Sequence, residues 1–313
     1  MNHLECVTSK NNQWYWYLVV LLLCFLASNT LGAIPLIILR AISALKNGDV
    51  SALGKMNFSA AGIDNNLGLA AVIFSFVVLL FAAIAFIKIF HNRTWNQVIN
   101  GTNRVRWSRF FMGVAVWGLL SFIGFAVSYF TEPETLTFRF DAMKFIILVL
   151  IVLLLMPFQT TAEEFLFRGY LMQGVASWTK SRWWALIVTA LLFGLMHSIN
   201  PEIQEYGFWT MMAQYIFMGL LLGIITLLDD GIELAMGVHF INNFLGAVLT
   251  TYKGSALQTD ALFMADEVNP AEDLLPMIIM GAIMIAFLAW RYKWNFGIMN
   301  QKVVLNEEKQ NFS

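Results

Sequence analysis

Side chains that can carry out chemistry are scarce in the long apolar stretches of this sequence, and they fall into three short groups. The first group is a pair of adjacent acids followed by an arginine, the second is one histidine, and the third is a histidine with an asparagine. These residues are Glu163, Glu164, Arg168, His197, His239 and Asn243. An ionisable group costs about 2.5–3.5 kcal/mol near the centre of a membrane helix, so each of them needs a reason to be there.

The spacing of the first group separates the roles of its two acids. Glu164 and Arg168 are four residues apart with the acid first, which is the favourable order for an ion pair on one helix face. Glu163 is rotated from Glu164 by about 100° on an α-helix, so the same arginine does not neutralise both. We therefore predict a structural pair of Glu164 and Arg168, with Glu163 left as the carboxylate for proton transfer.

The histidines can reach Glu163 if the chain folds back on itself. Counted outward from a turn near 179–182, Glu163 and His197 are almost equidistant, so an antiparallel hairpin places them at similar depth. His239 and Asn243 are four residues apart and point towards one neighbour. The helix around Glu163 must then be long or kinked, with Pro157 as the candidate position, and the segment 199–206 must dip inward. Polar groups at that depth require a hydrated cavity.

Each of these residues also has a purely structural interpretation. A buried acid beside a cation at helical spacing needs no further purpose. A single histidine can simply hydrogen-bond a neighbouring membrane helix, which contributes about 0.6–2 kcal/mol. Their combination favours chemistry, because together they supply a base, two imidazoles and an amide donor.

The composition indicates a membrane protein. The 313 residues are 59% hydrophobic and 12% charged, with a mean hydropathy of +0.68, well above the roughly 45–50% apolar content of soluble domains. A net charge of −1 gives no basic footprint for nucleic acid. Cys6 and Cys24 form neither a metal-binding spacing nor a disulfide framework. We expect lipid and a peptide or membrane-protein substrate as partners, and no cofactor or metal.

Apolar stretches that can cross a bilayer, about 20 residues each, predict an all-α polytopic bundle with eight spans. They lie at 14–39, 66–90, 110–130, 144–162, 183–198, 206–228, 234–252 and 274–291. The first is longer than the apolar region of a signal peptide and is taken as a span. We predict three parts: N-terminal helices over 1–143, a catalytic core over 144–252, and an acidic loop, final span and tail over 253–313.

Loop charges predict the orientation, because lysine and arginine near span ends stay cytoplasmic. The loop over 88–109 carries five basic residues and no acid, whereas the loop over 253–273 carries five acids and one lysine. Alternation from these loops places both termini in the cytoplasm. Asp229 and Asp230 then also fall on the cytoplasmic side, a mild conflict with their charge.

Three motifs occur in order along the chain: Glu163-Glu164-x-x-x-Arg168, Phe193-x-x-x-His197 and His239-x-x-x-Asn243. They resemble the motifs of the CAAX protease and bacteriocin-processing family of intramembrane glutamate proteases, and Phe167-Arg168-Gly169 extends the likeness. The resemblance covers about residues 144–250. It implies an all-helical membrane endopeptidase, placed here in a bacterial cell membrane, that needs no metal.

The resemblance also implies a role for each motif residue. Glu163 activates a water with help from His197, His239 and Asn243 stabilise the oxyanion, and Glu164 with Arg168 holds the site in shape.

Other functions stay open at this point. The same fold serves as a non-catalytic scaffold, regulator or immunity protein in some members of the family. Two histidines and a glutamate also make a workable zinc set, although the chain has no His-Glu-x-x-His helix and asparagine is a poor zinc ligand. A proton-coupled transporter is a further alternative, and the absence of a repeat between the two halves argues weakly against it.

Overall fold

The structure is a computed structural model that describes residues 3–7, 11–48, 57–257 and 259–306. Most of these residues are helical. The helices are α1 (Trp14–Ala27), α2 (Ile34–Asn47), α3 (Asn65–His91), α4 (Trp95–Ile99), α5 (Trp107–Thr131), α6 (Ala142–Glu164), α7 (Met172–Thr179), α8 (Arg182–Met196), α9 (Pro201–Tyr206), α10 (Phe208–Asp229), α11 (Glu233–Val248) and α12 (Pro270–Tyr292). Two π-helical segments, Ser28–Gly32 and Phe165–Leu171, join α1 to α2 and α6 to α7. Short 3-10 turns occupy Pro133–Thr135 and Phe296–Asn300.

The predicted polytopic helical bundle is confirmed, but the count of eight spans is not. Within the described residues, six helical stretches are long and apolar enough to cross a membrane. They are Trp14–Asn47, Asn65–His91, Trp107–Thr131, Ala142–Thr179, Phe208–Asp229 and Pro270–Tyr292.

The fifth and seventh predicted spans are the two that fall short. They are α8, with 15 residues, and α11, with 16 residues. At about 1.5 Å per residue each is several ångströms shorter than a hydrocarbon core of about 30 Å. Helix α8 packs against α7 and α10, and α11 packs against α5, α6 and α10.

Local sequence explains where the principal helices begin and end. The side chain of Asp64 caps α3 by accepting from the backbone N–H groups of Asn66 and Leu67, and Asp141 caps α6 in the same way. Lys180 adopts a left-handed conformation with φ 56°, which ends α7. Ser181 then caps α8 through the N–H of Trp184. The hairpin predicted near 179–182 is therefore present.

One end of the bundle contains the first and last segments that the structure describes, 3–7 and 301–306, together with the basic loop. The Arg106 guanidinium lies 3.2 Å from a carboxylate oxygen of Asp229 and 2.6 Å from one of Glu233. The N–H of Val303 donates to the Lys180 carbonyl at 3.0 Å, which brings the C-terminal segment to the α7–α8 turn. Asp229 can therefore lie at the same end as the basic loop, because Arg106 and Arg109 pair with its carboxylate there.

The opposite end carries a small sheet that the sequence did not predict. Strands β1 (Leu136–Phe138), β2 (Thr250–Tyr252) and β3 (Phe263–Ala265) form the order β1-β3-β2, with β1 antiparallel and β2 parallel to β3. Each strand has only three residues, which is too short for a recognisable alternating pattern. The basic loop therefore lies at one end of the bundle and the acidic loop that contains β3 lies at the other, as the alternation of spans along the chain predicts.

Close helix contact in the core fixes the position of α11. A Cβ at Gly113 of α5 would lie 2.5 Å from the Leu234 carbonyl oxygen, and a Cβ at Gly237 would collide with the Phe110 carbonyl. Only glycine allows the two backbones to approach this closely. This contact sets the rotation and depth of the helix that carries His239 and Asn243.

Candidate active site

The first group of site residues spans a change in helix geometry. Helix α6 continues through Pro157 as far as Glu164, so the helix around Glu163 is long, which is one of the two alternatives that the sequence left open. A π-helix of seven residues, Phe165–Leu171, follows directly and contains Arg168. Such π segments are uncommon and frequently occur at functional sites, because the wider turn redirects the side chains around it.

Glu164 and Arg168 form the ion pair that their spacing predicts. Arg168 Nη1 donates to Glu164 Oε1 at 2.8 Å, and both side chains are fully buried. Arg168 Nη2 donates to the Gly219 carbonyl at 3.2 Å, and its guanidinium lies 4.2 Å from the centre of the Phe193 ring. These contacts tie the π segment to α8 and α10.

His239 contacts both acids, one through each ring nitrogen. Its Nδ1 lies 2.7 Å from Oε1 of Glu164, and its Nε2 lies 3.6 Å from Oε2 of Glu163. The first contact is a hydrogen bond, whereas the second is slightly longer than one. Glu164 therefore supports His239 as well as Arg168, a link that the linear sequence did not suggest.

Glu163 is held on one side only. Its Oε1 accepts a hydrogen bond of 2.7 Å from Nε2 of Gln159, one turn earlier on α6. Its Oε2 has no hydrogen-bond partner among the described residues and faces His239. The residue is 8% exposed. Glu163 thus has one hydrogen-bonded oxygen and one buried oxygen that lacks a hydrogen-bond partner among the described residues.

His197 lies at the end of α8, with its ring fixed in place. Its Nδ1 lies 2.7 Å from the Phe193 carbonyl, and its ring stacks on Tyr215 with centroids 4.5 Å apart. The carbonyl can only accept, so Nδ1 carries a proton and donates this hydrogen bond. Within the described residues no hydrogen bond or ion pair joins His197 to Glu163; Phe193, whose ring also packs on His239, links the two histidines.

Asn243 is connected to Glu163 through another side chain. Its Nδ2 donates to Gln159 Oε1 at 3.0 Å, and its Oδ1 accepts from Asn242 Nδ2 at 3.2 Å. Asn242 Oδ1 in turn accepts from the Trp117 indole N–H at 3.1 Å. An uninterrupted hydrogen-bonded chain therefore runs from α5 through α11 to the carboxylate on α6.

Exposure differs across these groups. Glu164 and Arg168 are fully buried and His239 is 5% exposed, whereas His197 and Asn243 are half-buried. A separate cavity of about 470 Å³ lies at the end of the bundle that carries the sheet. Its lining includes Glu205, Tyr252 and Arg139, and none of the six predicted site residues.

The described residues contain no group of three or more histidine, cysteine, aspartate or glutamate side chains arranged to hold a metal ion. His239 presents its two nitrogens to two different carboxylates, which lie on opposite sides of the ring. The arrangement suits proton transfer and hydrogen bonding to a polarised substrate.

Three residues of the site, Gln159, Asn242 and Tyr215, are not apparent from the sequence motifs. The predicted site residues are ionisable side chains and Asn243, four residues after His239, whereas these three are neutral and stand outside the motifs. Gln159 nevertheless carried a usable signal, since a polar residue inside a membrane helix, four positions before an acid, lies on the same helix face. Tyr215 carried none, because its contact with His197 depends on how α8 and α10 pack.

Comparison with known proteins identifies the part of the chain that contains these residues. Residues 143–245 match the family model described as Type II CAAX prenyl endopeptidase Rce1-like. The chain is also 28% identical over 227 residues to an uncharacterized protein, YyaK, of Bacillus subtilis, covering 70% of this chain and 75% of that relative. No solved structure matches the chain.

The resemblance suggested by the three motifs is therefore confirmed for residues 143–245, the segment that carries all six predicted site residues. This chain is a multi-pass membrane protein in which residues 143–245 are similar to the type II CAAX prenyl endopeptidase Rce1-like family.

Proposed function

We propose that this protein is an intramembrane glutamate endopeptidase in which Glu163 activates the water that attacks a peptide bond. The observation that carries the proposal is the pair of contacts of His239, to Glu164 at 2.7 Å and to Glu163 at 3.6 Å. The Glu163 oxygen in the second contact has no hydrogen-bond partner among the described residues. An acid buried inside a membrane bundle is a candidate functional group by default. The family match supplies the reaction class, peptide cleavage.

Charge balance favours an imidazolium at His239. Its two ring nitrogens lie 2.7 Å from Glu164 and 3.6 Å from Glu163, and only a protonated ring has an N–H directed towards each carboxylate. Two carboxylates, the Arg168 guanidinium and this imidazolium then sum to zero. A neutral cluster is far cheaper to bury in a membrane than one with an excess charge.

In the first step, Oε2 of Glu163 takes a proton from water while the oxygen attacks the scissile carbonyl carbon. Nε2 of His197 accepts the second hydrogen bond of that water, since its Nδ1 is engaged by Phe193. The negative charge moves from Glu163 to the carbonyl oxygen. Nε2–H of His239 and an N–H of Asn243 donate to this oxyanion, the kind of stabilisation that is often the largest contribution to catalysis.

In the second step the tetrahedral intermediate collapses. Glu163 gives its proton to the leaving nitrogen as the C–N bond breaks, which regenerates the carboxylate and releases an acid and an amine. Glu164 and Arg168 do not exchange protons; they hold His239 and the π segment in position.

The proposal also includes an orientation in the membrane and a cellular location. Both termini lie in the cytoplasm of a bacterial cell, because their end of the bundle carries the basic loop. We also propose a hydrated cavity that connects His197 and Asn243, both half-buried, to the membrane surface.

The test is cleavage by purified protein in lipid vesicles. The probes are an internally quenched peptide that ends in a prenylated Cys-aliphatic-aliphatic-X sequence and the same peptide without the prenyl group. We expect the wild type to cleave at least one of them and Glu163→Gln to cleave neither. Glu267→Gln, at an exposed glutamate far from the site, is the matched control and keeps the wild-type rate.

Two results would contradict the proposal. A wild-type rate in Glu163→Gln removes the carboxylate from the mechanism. Loss of activity with a strong chelator, restored by zinc, indicates the metal-dependent alternative.

The substrate can be identified by comparing the membrane peptides of cells that carry the wild type with those of cells that carry Glu163→Gln. Identical peptide sets with an unchanged cellular phenotype favour the non-catalytic regulator.

A further inference from the structure

We infer that Trp117, Asn242, Asn243 and Gln159 form a directional hydrogen-bond relay that ends on Glu163 and positions both the base and the amide donor. The inference rests on the proposed function and adds to it a set of positioning residues on three helices. The relay runs from Trp117 on α5 to Asn242 and Asn243 on α11, and then to Gln159 and Glu163 on α6. Its four links measure 3.1, 3.2, 3.0 and 2.7 Å in that order.

The two ends of the relay fix its direction. The Trp117 indole N–H can only donate, and a carboxylate oxygen of Glu163 can only accept. The orientation of an isolated asparagine or glutamine amide is ambiguous, because its oxygen and nitrogen are nearly alike in shape. Here each amide receives a hydrogen bond at its oxygen and gives one from its nitrogen, so all three amides have a single satisfied orientation.

This direction determines how Asn243 faces the site. Its carbonyl oxygen is engaged by Asn242, so its NH₂ group is the part directed towards Gln159 and the acid on α6. An amide nitrogen has two N–H groups, and Gln159 uses one of them. The other stays available for an oxyanion. With the amide reversed, Asn243 would present an acceptor and would repel that oxyanion.

The last link determines which oxygen of Glu163 reacts. Gln159 occupies Oε1, while Oε2 lies beside His239 without a hydrogen-bond partner in the described residues. Gln159 also stands between the Asn243 amide and the carboxylate, so the oxyanion donor does not neutralise the base directly. The reacting oxygen of the base and the donating face of Asn243 are therefore set by one side chain.

The side chains of Trp117 and Gln159 are buried, whereas Asn242 and Asn243 between them are half-buried. Trp117 is 1% exposed and Gln159 is 8% exposed. Hydrogen bonds in such surroundings are stronger than in water, and consecutive amides polarise one another. Trp117 has no other hydrogen bond within the described residues, and its ring packs in the cluster around Val238 and Leu222. Helix α5 thus takes part in the site although it carries none of the six residues that the sequence predicted.

The kinetic test uses Gln159→Leu, which keeps the size of the side chain and removes both links. We expect kcat to fall about 10²-fold, as for a misplaced catalytic group, with KM within about two-fold of wild type. Thr160→Val is the matched control, since Thr160 is also buried on α6 and, among the described residues, its hydroxyl donates only to the Met156 carbonyl of the same helix. A Gln159→Leu enzyme with wild-type kcat overturns the inference.

A second variant probes the direction of the relay further from Glu163. Asn242→Asp still accepts from Trp117 but has no N–H to give to Asn243, so it breaks the relay at its second link. We expect a smaller loss of kcat than in Gln159→Leu, again with KM little changed. A rise in KM with unchanged kcat would mean that these residues only shape the substrate site.

A spectroscopic test needs no substrate. The carboxylate stretching bands of Glu163 are obtained as the infrared difference between wild type and Glu163→Gln in lipid vesicles. We expect these bands to shift in Gln159→Leu, because Oε1 loses its donor, and to stay in place in Thr160→Val. Unchanged bands in Gln159→Leu refute the relay even if no peptide is cleaved, whereas absence of cleavage by wild type counts against the proposed function alone.

Discussion

Nδ1 of His239 lies 2.7 Å from Oε1 of Glu164, the same oxygen that accepts from Arg168 at 2.8 Å. This one oxygen of Glu164 therefore links Arg168 in the π segment to His239 on α11. Because Glu164 and Arg168 are fully buried, removal of either charge leaves the other without compensation.

The first prediction concerns this junction. Glu164→Gln should destabilise the protein by about 3–5 kcal/mol, the usual cost of leaving a buried charge without its partner. It should also lower activity, since His239 loses its anchor. Thermal unfolding in detergent, followed by intrinsic fluorescence, measures the first effect. An unfolding midpoint equal to that of the exposed Glu267→Gln control would contradict it.

The second prediction concerns the amide donor. Asn243→Ala should lower kcat by about 10²–10³-fold, as does loss of a single oxyanion donor elsewhere. Asn243→Asp should be at least as harmful, because it places an acceptor where the oxyanion forms. Steady-state kinetics on the cleaved peptide provide the measurement, and an Asn243→Asp enzyme as active as wild type would exclude the oxyanion role.

The third prediction concerns the ring that holds His197. Tyr215 stacks on His197 with an interplanar angle of 28°. Tyr215→Phe keeps the stacking surface and should stay within a few-fold of wild type, whereas Tyr215→Leu should lose about 10–100-fold in kcat through misplacement of the imidazole. Equal rates in the two variants would show that stacking does not orient His197.

The fourth prediction concerns the approach of α5 and α11. A Cβ at Gly237 would overlap the Phe110 carbonyl, so Gly237→Ala forces the helices apart. We expect a destabilisation of about 1–3 kcal/mol together with lower activity, since His239 moves with α11. Gly246→Ala is the matched control on the same helix, where nothing lies within 4 Å of the added methyl group. That variant should be neutral or slightly stabilising.

The fifth prediction concerns pH and the N-terminal segment. His3 is 1% exposed; its Nε2 lies 2.9 Å from the Arg168 carbonyl, and its Nδ1 lies 3.3 Å from Gln173 Nε2. Burial lowers the pKa of His3 below its usual value, against the opposing effect of Asp230. The unfolded chain therefore binds a proton more readily than the folded protein does, and stability falls as the pH drops through the normal histidine range.

The measurement is the unfolding midpoint from about pH 7.5 to about pH 5.5, the range over which histidine normally titrates. The wild type should lose more stability over this range than His3→Gln, whose amide still donates but does not titrate. Parallel curves for the two proteins would show that His3 is not the titrating group.

The sequence by itself determined the features that depend on one helix or on composition. Hydrophobic content and long apolar runs required a membrane bundle, and the four-residue spacing of Glu164 and Arg168 required a pair on one face. The turn near 179–182 followed from its polar residues and from the length of the flanking helices. These features are local, so neighbouring residues along the chain are enough to specify them.

Only the tertiary structure decided which side chains meet across helices. The contacts of His239 with Glu163 and Glu164, the stacking of Tyr215 on His197 and the link from Asn243 to Gln159 all join different helices. They depend on the rotation and depth of each helix, which close contacts such as Gly237 against Phe110 impose. A helical period gives the face on which a residue lies, but packing decides which neighbour that face contacts.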